Sequence, residues 1–476
     1  MLFVTHALAL VSSLGVVSGD DRPLNVLWII GEDLGPELAC YGHPEVRTPH
    51  LDRLAAEGVR FTRAFATAPV CSASRSAFMT GMHQVTIGAH NHRSHRDDGH
   101  GLPEGVRVLT DWLRPAGVFT ANLRALGIDE DGEPQLRGSG KTDWNFAYDG
   151  RAFDGRAWDE LKDRRPFYAQ VNFPETHRGR AWNTAHERIE RPADPAAVHF
   201  PPYYPDHPEM RAVWAQYLNA VMALDVKVGH VLRLLERDGL ADDTVVIFFG
   251  DHGRAMVRGK QWPYDSGLHV PLIVRWPRDR APAGVVGGSV DHRLVALTDV
   301  TATTLRAFGV DAPESMHGRP LFGPDRGAPR RVLFGARDRC DETVFHIRTV
   351  RDVRYRYIRN GMPERPFLRL NRYKEASYPE LALMRRLHES GELARTAPFS
   401  EALFAPSRPS EELYDLAADP FETRNLAGDP ALGATLARLR EALNARIAAL
   451  DDQGEVPEPA EVIEHWEETM RKRHGG

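Results

Sequence analysis

Cysteine is scarce in this chain of 476 residues, with only Cys40, Cys71 and Cys340 present. Three cysteines are too few for a disulfide framework, and an odd number leaves at least one thiol to account for. Positive charge is not in excess either. Sixty Lys and Arg stand against 66 Asp and Glu, a formal charge of −6, which argues against a nucleic-acid partner. Past the N-terminus no apolar run approaches the roughly 20 residues of a membrane span. No internal repeat is found, which sets repeat architectures aside. Nothing in the sequence sets an oligomeric state.

What is present is an ordinary globular composition, 42% apolar and 26% charged. The length suits two to four average domains, or one large α/β domain with a smaller companion. Leu2 to Val17 is mostly apolar, and Val17 and Gly19 suit a cleavage site before the polar Asp20-Asp21-Arg22. Residues 1–19 therefore read as a signal peptide. The mature chain is expected to be exported, to a periplasmic or extracellular destination or, in a eukaryotic cell, a lysosome.

Three short apolar runs end alike. Asn25 to Ile30 is followed by Gly31-Glu32-Asp33, Thr244 to Phe249 by Gly250-Asp251-His252, and Phe167 to Phe173 by Pro174-Glu175-Thr176-His177. Buried parallel strands read as continuous apolar runs, and open α/β sheets bind ligands beyond the strands' carboxyl ends. Either these are ordinary turn residues, or three strands deliver carboxylates and histidines to one rim. Helices are predicted from Pro49 to Glu57, closed by Gly58, and from Met210 to Asp238, on the spacing of Val213, Tyr217, Val221, Leu224, Val228, Val231 and Leu235. Strands alternating with helices predict a parallel or mixed sheet covered on both faces.

Composition changes near residue 330. Val353, Tyr355 and Tyr357 alternate with Arg354 and Arg356, which predicts an antiparallel hairpin within Phe345–Ile358. Residues 361–410 are rich in Pro, Arg and Ser and read as irregular. Leu432, Leu436, Leu439, Leu443, Ile447 and Leu450 mark a last amphipathic helix, and the tail from Gln453 is expected to be partly loose.

The segment Cys71-Ser72-Ala73-Ser74-Arg75-Ser76-Ala77-Phe78-Met79-Thr80-Gly81 reads as a short helix with Cys71 at its start. Unpaired N–H groups there favour an anion and depress a thiol's pKa. Local physics allows a reactive cysteine beside an anion site, or an inert buried thiol. Further on, His83, His90, His92, His95 and His100 form a dense tract. It could bind a transition metal or line a polar pocket mouth.

The Cys71 segment resembles the signature of the type I, formylglycine-dependent sulfatases, with the motif carried by Cys71, Ala73, Ser74, Arg75, Thr80 and Gly81. Asn25–Thr62, Gly250–Pro277 and Glu412–Ala427 resemble that family's other blocks, in the family's order. The segments GEDLGPELACYG, GKTDWNF and KQWPYDSGLHVPLIVRWP look closest to its N-sulfoglucosamine sulfohydrolase-like branch. The resemblance implies an alkaline-phosphatase-like α/β fold. A mixed central sheet would be flanked by helices in a catalytic domain over residues 20–330, and residues 331–476 would form a smaller C-terminal α+β domain of antiparallel sheet plus helix.

It also implies a chemistry. A maturation enzyme would oxidise Cys71 to formylglycine, whose hydrate attacks sulfur. The alcohol or amine then leaves protonated, and the aldehyde reforms as sulfate departs. Calcium, or alternatively magnesium, would be held by Glu32, Asp33, Asp251 and His252 with residue 71, since hard cations take oxygen ligands. Arg75 would hold the hydrate and the metal-ligand network. Lys141 would contact sulfate, and His177 and Lys260 would serve the leaving oxygen.

Three positions depart from the family pattern. Ala73 stands where Pro is commoner, Glu32 where Asp is usual, and Asp143 where a His is common. The last raises the question of whether His83, His90, His92 or His95 substitutes as base. Asp143, His92, Arg93, Arg96, Asp341 and Glu342 are candidates for binding a sulfated carbohydrate, as are Arg337 and Asp338. Two other readings stay open: a phosphodiester or phosphonate hydrolase of the same superfamily, and a non-catalytic sulfated-glycan-binding protein.

Overall fold

The computed structural model describes residues 23–95, 98–128 and 134–475; the expected signal peptide and Arg96 lie outside them. Thirteen strands are formed among the described residues. Nine belong to one sheet: β1 (Asn25–Gly31), β2 (Val59–Phe65), β3 (Phe119–Ile128), β4 (Pro134–Leu136), β5 (Phe167–Phe173), β6 (Thr244–Gly250), β7 (His269–Arg275), β8 (Ser289–Asp291) and β9 (Val295–Ala296). Their order is β4-β3-β5-β1-β6-β7-β2-β8, with β9 also on β2.

The three apolar runs with acidic ends lie side by side at its centre. β1 runs parallel to both β5 and β6, and Gly31 is in register with Phe173 and with Gly250. All three strands are buried throughout. Because side chains alternate across a strand, Leu27 and Ile29 face one core with the Pro208–Arg237 helix, where Val221 and Leu224 meet them. Val26, Trp28 and Ile30 face the other core, with Phe78 and Met79 of the Cys71–Thr80 helix and Val300 of the Thr298–Ala307 helix. The sheet is mixed, since β7 pairs antiparallel with β6 and β2. A helix-covered mixed sheet is the architecture the sequence predicted.

The other four strands, β10 (Leu333–Arg337), β11 (Ile347–Arg351), β12 (Tyr355–Asn360) and β13 (Glu411–Asp415), form an antiparallel sheet in that order. The expected hairpin is β11–β12. The expected alternation fails at Val353 and Arg354, which lie in the exposed turn before β12, and within the strand the polar Arg356 does not face solvent. Arg356 is buried, its guanidinium on Glu422 at 2.7 Å and on Asp265. The Gly433–Leu450 helix covers the sheet, with Leu436, Leu439 and Leu443 against Val350, Tyr357 and Leu413. Leu443→Ala is expected to cost about 2–5 kcal/mol of stability, read as a lower urea midpoint. A cost below about 0.5 kcal/mol, the range of neutral surface changes, would contradict this packing.

Two expectations are corrected. Residues 361–410 are largely helical, in Arg372–Ser377, Pro379–Glu389, Glu392–Thr396 and Pro398–Glu401. These pieces are too short for periodicity to stand out, although Leu381, Met384 and Leu387 do mark one buried stripe. The tail is not loose along its length, because Ala460–His474 is a helix that buries Trp466 and Met470.

Candidate active site

The site is built where β5, β1 and β6 end. Asp33 follows β1 in the left-handed region, φ 54°. This strained backbone is held by neighbouring strands: the Asp33 N–H donates to Asp251 Oδ1 at 2.8 Å, the Glu32 N–H to the Phe173 carbonyl at 3.0 Å, and the Asp251 N–H to the Gly31 carbonyl at 3.0 Å. Gly250 is required beside this turn. A Cβ there would lie 2.5 Å from the Leu34 carbonyl oxygen.

The Cys71–Thr80 helix points its first turn at the same rim. Val70 before it is extended, and Ser74 Oγ donates to the Asp251 carbonyl at 2.5 Å. Cys71 Sγ lies 3.2 Å from His252 Nε2, 3.5 Å from Asp33 Oδ1 and 3.4 Å from Lys260 Nζ. One ligand atom from each of Asp33, Cys71, Asp251 and His252 lies within 4.8 Å of the others, and all four residues are buried. Lys260 Nζ donates to both Asp33 oxygens, at 3.0 and 2.8 Å.

One helical turn past Cys71, Arg75 anchors the back of this cluster. Its Nε and NH2 meet Asp251 Oδ2 at 3.1 and 3.0 Å, and NH1 donates to Asn172 Oδ1 at 2.7 Å. Asn172 had a legible signal, since it and Gln170 are the two amide side chains inside a mostly apolar strand run. Glu32 stands outside the four-atom cluster. Its carboxylate is 3.1 Å from Lys141 Nζ and 3.9 Å from Arg75 NH2, and Lys141 is also 3.6 Å from Asp143. Asp143 takes a left-handed backbone, φ 55°.

Burial and mutual charge set the protonation tendencies. Burial alone would raise the Asp33 carboxyl, but Lys260, His177 and His252 hold it well below the usual carboxylate range. Burial opposes the Lys260 ammonium, yet Asp33 and Cys71 push it well above its ordinary value. The His252 imidazole, disfavoured as a cation by burial, is held up at about 10 by Asp251, Cys71 and Asp33. His177 goes the other way, lowered by burial and by Lys260. Its Nδ1 lies 2.9 Å from the Arg178 carbonyl, to which it can only donate, so Nε2 is the free nitrogen, 4.0 Å from Asp33.

The remaining candidates scatter more. Arg93 NH1 is 2.9 Å from Asp341 Oδ1, whose other oxygen accepts from Asn371 Nδ2 at 2.7 Å. His92 Nδ1 is 2.7 Å from Ser72 Oγ, and its Nε2 is 3.9 Å from Asp341. Glu342 turns to the Arg372 backbone N–H, 2.6 Å away. Arg337 is buried between the Trp262 and Phe345 rings, and Asp338 pairs with Arg348 at 2.9 Å, so both are packed into the interior. The histidine tract does not act as a unit. His83 packs on His317, His95 stacks on His100, and His90 is buried apart. Of these, His92 reaches the helix of Cys71.

Sequence reasoning missed the Asn371–Lys374 segment. Besides Asn371 on Asp341, it places the Tyr373 ring 5.5 Å from Lys260 Nζ and 6.1 Å from the His177 ring, and it directs Lys374 Nζ onto the Lys260 carbonyl. Nothing in the local pattern of an Arg- and Lys-rich stretch announces that proximity.

Comparison with known proteins agrees with this geometry. The sulfatase family model matches residues 24–310. An ulvan-active sulfatase of Formosa agariphila is 32% identical, over 94% of this chain and 78% of its own. Human N-sulphoglucosamine sulphohydrolase is 28% identical over 89% of each chain. A solved 2-O GAG sulfatase superposes with a TM-score of 0.62 at 20% identity, covering 93% of this chain and 96% of that one, and so shares the fold. A chain with this fold, this cluster and these relatives belongs to the sulfatase family and is a sulfuric ester hydrolase.

Proposed function

We propose that this sulfatase hydrolyses sulfate esters or sulfamates of sulfated carbohydrates, with residue 71 as the nucleophile after oxidation of its cysteine to formylglycine. The observation that carries this reading is the cluster of Asp33, Cys71, Asp251 and His252. Two buried carboxylates around one side chain, with the His252 imidazole once a cation displaces its proton, make a donor set that fits a divalent cation. Calcium, or alternatively magnesium, would be held by Asp33, Asp251, His252 and residue 71, with Glu32 at the edge. When bound, such an ion acidifies a hydroxyl near it and neutralises charge on the substrate.

The other groups have roles that follow from their placement. Arg75 fixes Asp251 and is itself fixed by Asn172. Lys141 and Lys260 offer ammonium groups to an anionic sulfuryl group, where low dielectric makes them effective. His177 Nε2 is the atom able to exchange a proton with the departing oxygen or nitrogen. Arg93, Asp341, His92 and Asp143 would meet polar groups of the sugar, and Glu342 would brace that wall through the Arg372 backbone.

The human relative's name, N-sulphoglucosamine sulphohydrolase, supports an N-sulfated glucosamine as substrate. The Formosa agariphila relative, an ulvan-active sulfatase by name, supports ulvan as an alternative substrate. We take sulfated carbohydrate as the class, acted on outside the cytoplasm after removal of residues 1–19, by a catalytic domain over 20–330 with a smaller domain over 331–476. A maturation enzyme is the implied partner.

Mass spectrometry tests the first requirement. Replacing the thiol and one hydrogen of Cys71 by an aldehyde oxygen lowers the peptide mass by about 18 Da. Protein from the native host should carry that peptide, and should release inorganic sulfate from at least one member of a panel of N- and O-sulfated monosaccharides. An unmodified thiol in active protein would defeat the nucleophile assignment.

A further inference from the structure

The Tyr373 hydroxyl is sealed from solvent and has no hydrogen-bond partner among the described residues. A buried O–H without an acceptor is costly, and native interiors rarely keep one. The side chain is not loosely placed. Its neighbours are fixed on both sides, the Asn371 amide donating to Asp341, the Arg372 backbone N–H to Glu342, and Lys374 Nζ to the Lys260 carbonyl. The ring is gripped by the Lys260 ammonium at 5.5 Å, by the His177 ring at 6.1 Å and, edge-on, by Tyr378 at 6.0 Å.

The charges acting on the phenol are those of the cluster. Burial pushes it up to about 12, Lys260 pulls it down, and Asp33 and Cys71 raise it. It therefore stays protonated, and a donor, through the neutral range. Asp33 is already occupied, since both its oxygens accept from Lys260 and one lies 3.0 Å from His252 Nε2. The missing acceptor is best supplied by a ligand. A sulfuryl group, which only accepts and is negatively charged, suits a neutral donor set beside an ammonium.

Resting on the reading above, we propose that the Tyr373 hydroxyl donates a hydrogen bond to an oxygen of the sulfuryl group bound between Lys260 and His177, making Tyr373 a residue that positions the sulfate. This deepens the sulfatase reading by assigning a determinant of anion binding to the Asn371–Lys374 segment, which follows the second sheet's β12 rather than a strand of the large sheet.

Tyr373→Phe keeps the ring and its contact with Lys260 and removes only the hydroxyl. The expected result is a rise of about tenfold in the dissociation constant of inorganic sulfate, measured by calorimetry, and a matching rise in KM for a sulfated monosaccharide, the loss typical of one hydrogen bond to a charged acceptor. The melting temperature should be unchanged or higher, because an unsatisfied polar atom has gone. A variant with KM and sulfate affinity both within about twofold of the parent overturns the proposal, as does a drop in kcat with sulfate affinity intact. The calorimetric arm needs no turnover. If the parent releases no sulfate from any substrate while sulfate affinity still falls in Tyr373→Phe, the nucleophile reading fails and this assignment stands.

Discussion

Cys71→Ala is expected to abolish sulfate release, by about 10⁴-fold or more, the scale seen when a covalent nucleophile is deleted. The expectation comes from position as much as identity. Cys71 opens a helix whose first turn is fixed by Ser74 on the Asp251 carbonyl, and its Sγ touches His252, Asp33 and Lys260. None of the neighbouring side chains can supply the missing carbon-bound nucleophile. The substitution removes one small side chain from a rigid buried helix, so far-UV circular dichroism should match the parent. Inorganic sulfate should still bind, since Lys141, Lys260, His177 and Tyr373 are untouched. Sulfate release from a responsive substrate, assayed beside sulfate affinity, checks both halves. Retention of more than about a hundredth of parental turnover, far above any residual rate expected without the nucleophile, would falsify the assignment of residue 71.

The second large effect concerns the cation. Dialysis against a chelator should remove turnover and lower the melting temperature, and excess calcium should restore both. A ligand at about 100 times its Kd adds about 2.7 kcal/mol of stability, a shift that thermal unfolding reads without any enzymatic assay. Asp251→Asn should eliminate the calcium-dependent shift and reduce turnover about 10²- to 10³-fold, as expected for lost electrostatic stabilisation at the reacting centre.

This variant should also be less stable without metal. The Asp251 carboxylate accepts from the Asp33 and His252 N–H groups at 2.8 and 3.0 Å and pairs with Arg75, which is buried. Neutralising it leaves the guanidinium with Glu32 at 3.9 Å as its nearest carboxylate contact. Breaking a buried pair in this way costs about 3–5 kcal/mol. A calcium-dependent melting shift that survives in Asp251→Asn would place the ion elsewhere. An unchanged metal-free melting temperature would show that Arg75 does not depend on this partner.

Much of the fold was legible because its signals are local. The largely apolar runs of β1, β5 and β6 each end in acids or histidine, the pattern of strands buried on both faces of a parallel sheet. The Cys71–Thr80 helix announced itself by its composition and its closing Gly81, and the Gly433–Leu450 helix by its leucine spacing. Residues 372–401 were not legible, because helices of four to eleven residues show too few turns for periodicity to rise above an Arg- and Pro-rich background. The Ala460–His474 helix was hidden by its charge. Two residues, Trp466 and Met470, account for its buried side.

The candidate site divides along the same line. By itself the sequence determined which chemical groups exist and, around β1, β5, β6 and the Cys71–Thr80 helix, how the local elements run: acids after apolar strands, a cysteine at a helix start, an arginine one turn on. The tertiary structure alone decided which of them meet. The register of β1 with β5 and β6 brings positions 33, 172 and 251 to one rim. Packing turns Glu32 toward Lys141 and away from the four-atom cluster, disperses the histidine tract, and brings Tyr373 in from a distant segment. The physical reason is one of range. Backbone propensity and side-chain periodicity act over a few residues, whereas a buried cluster of charges exists only when chain segments hundreds of positions apart exclude water together.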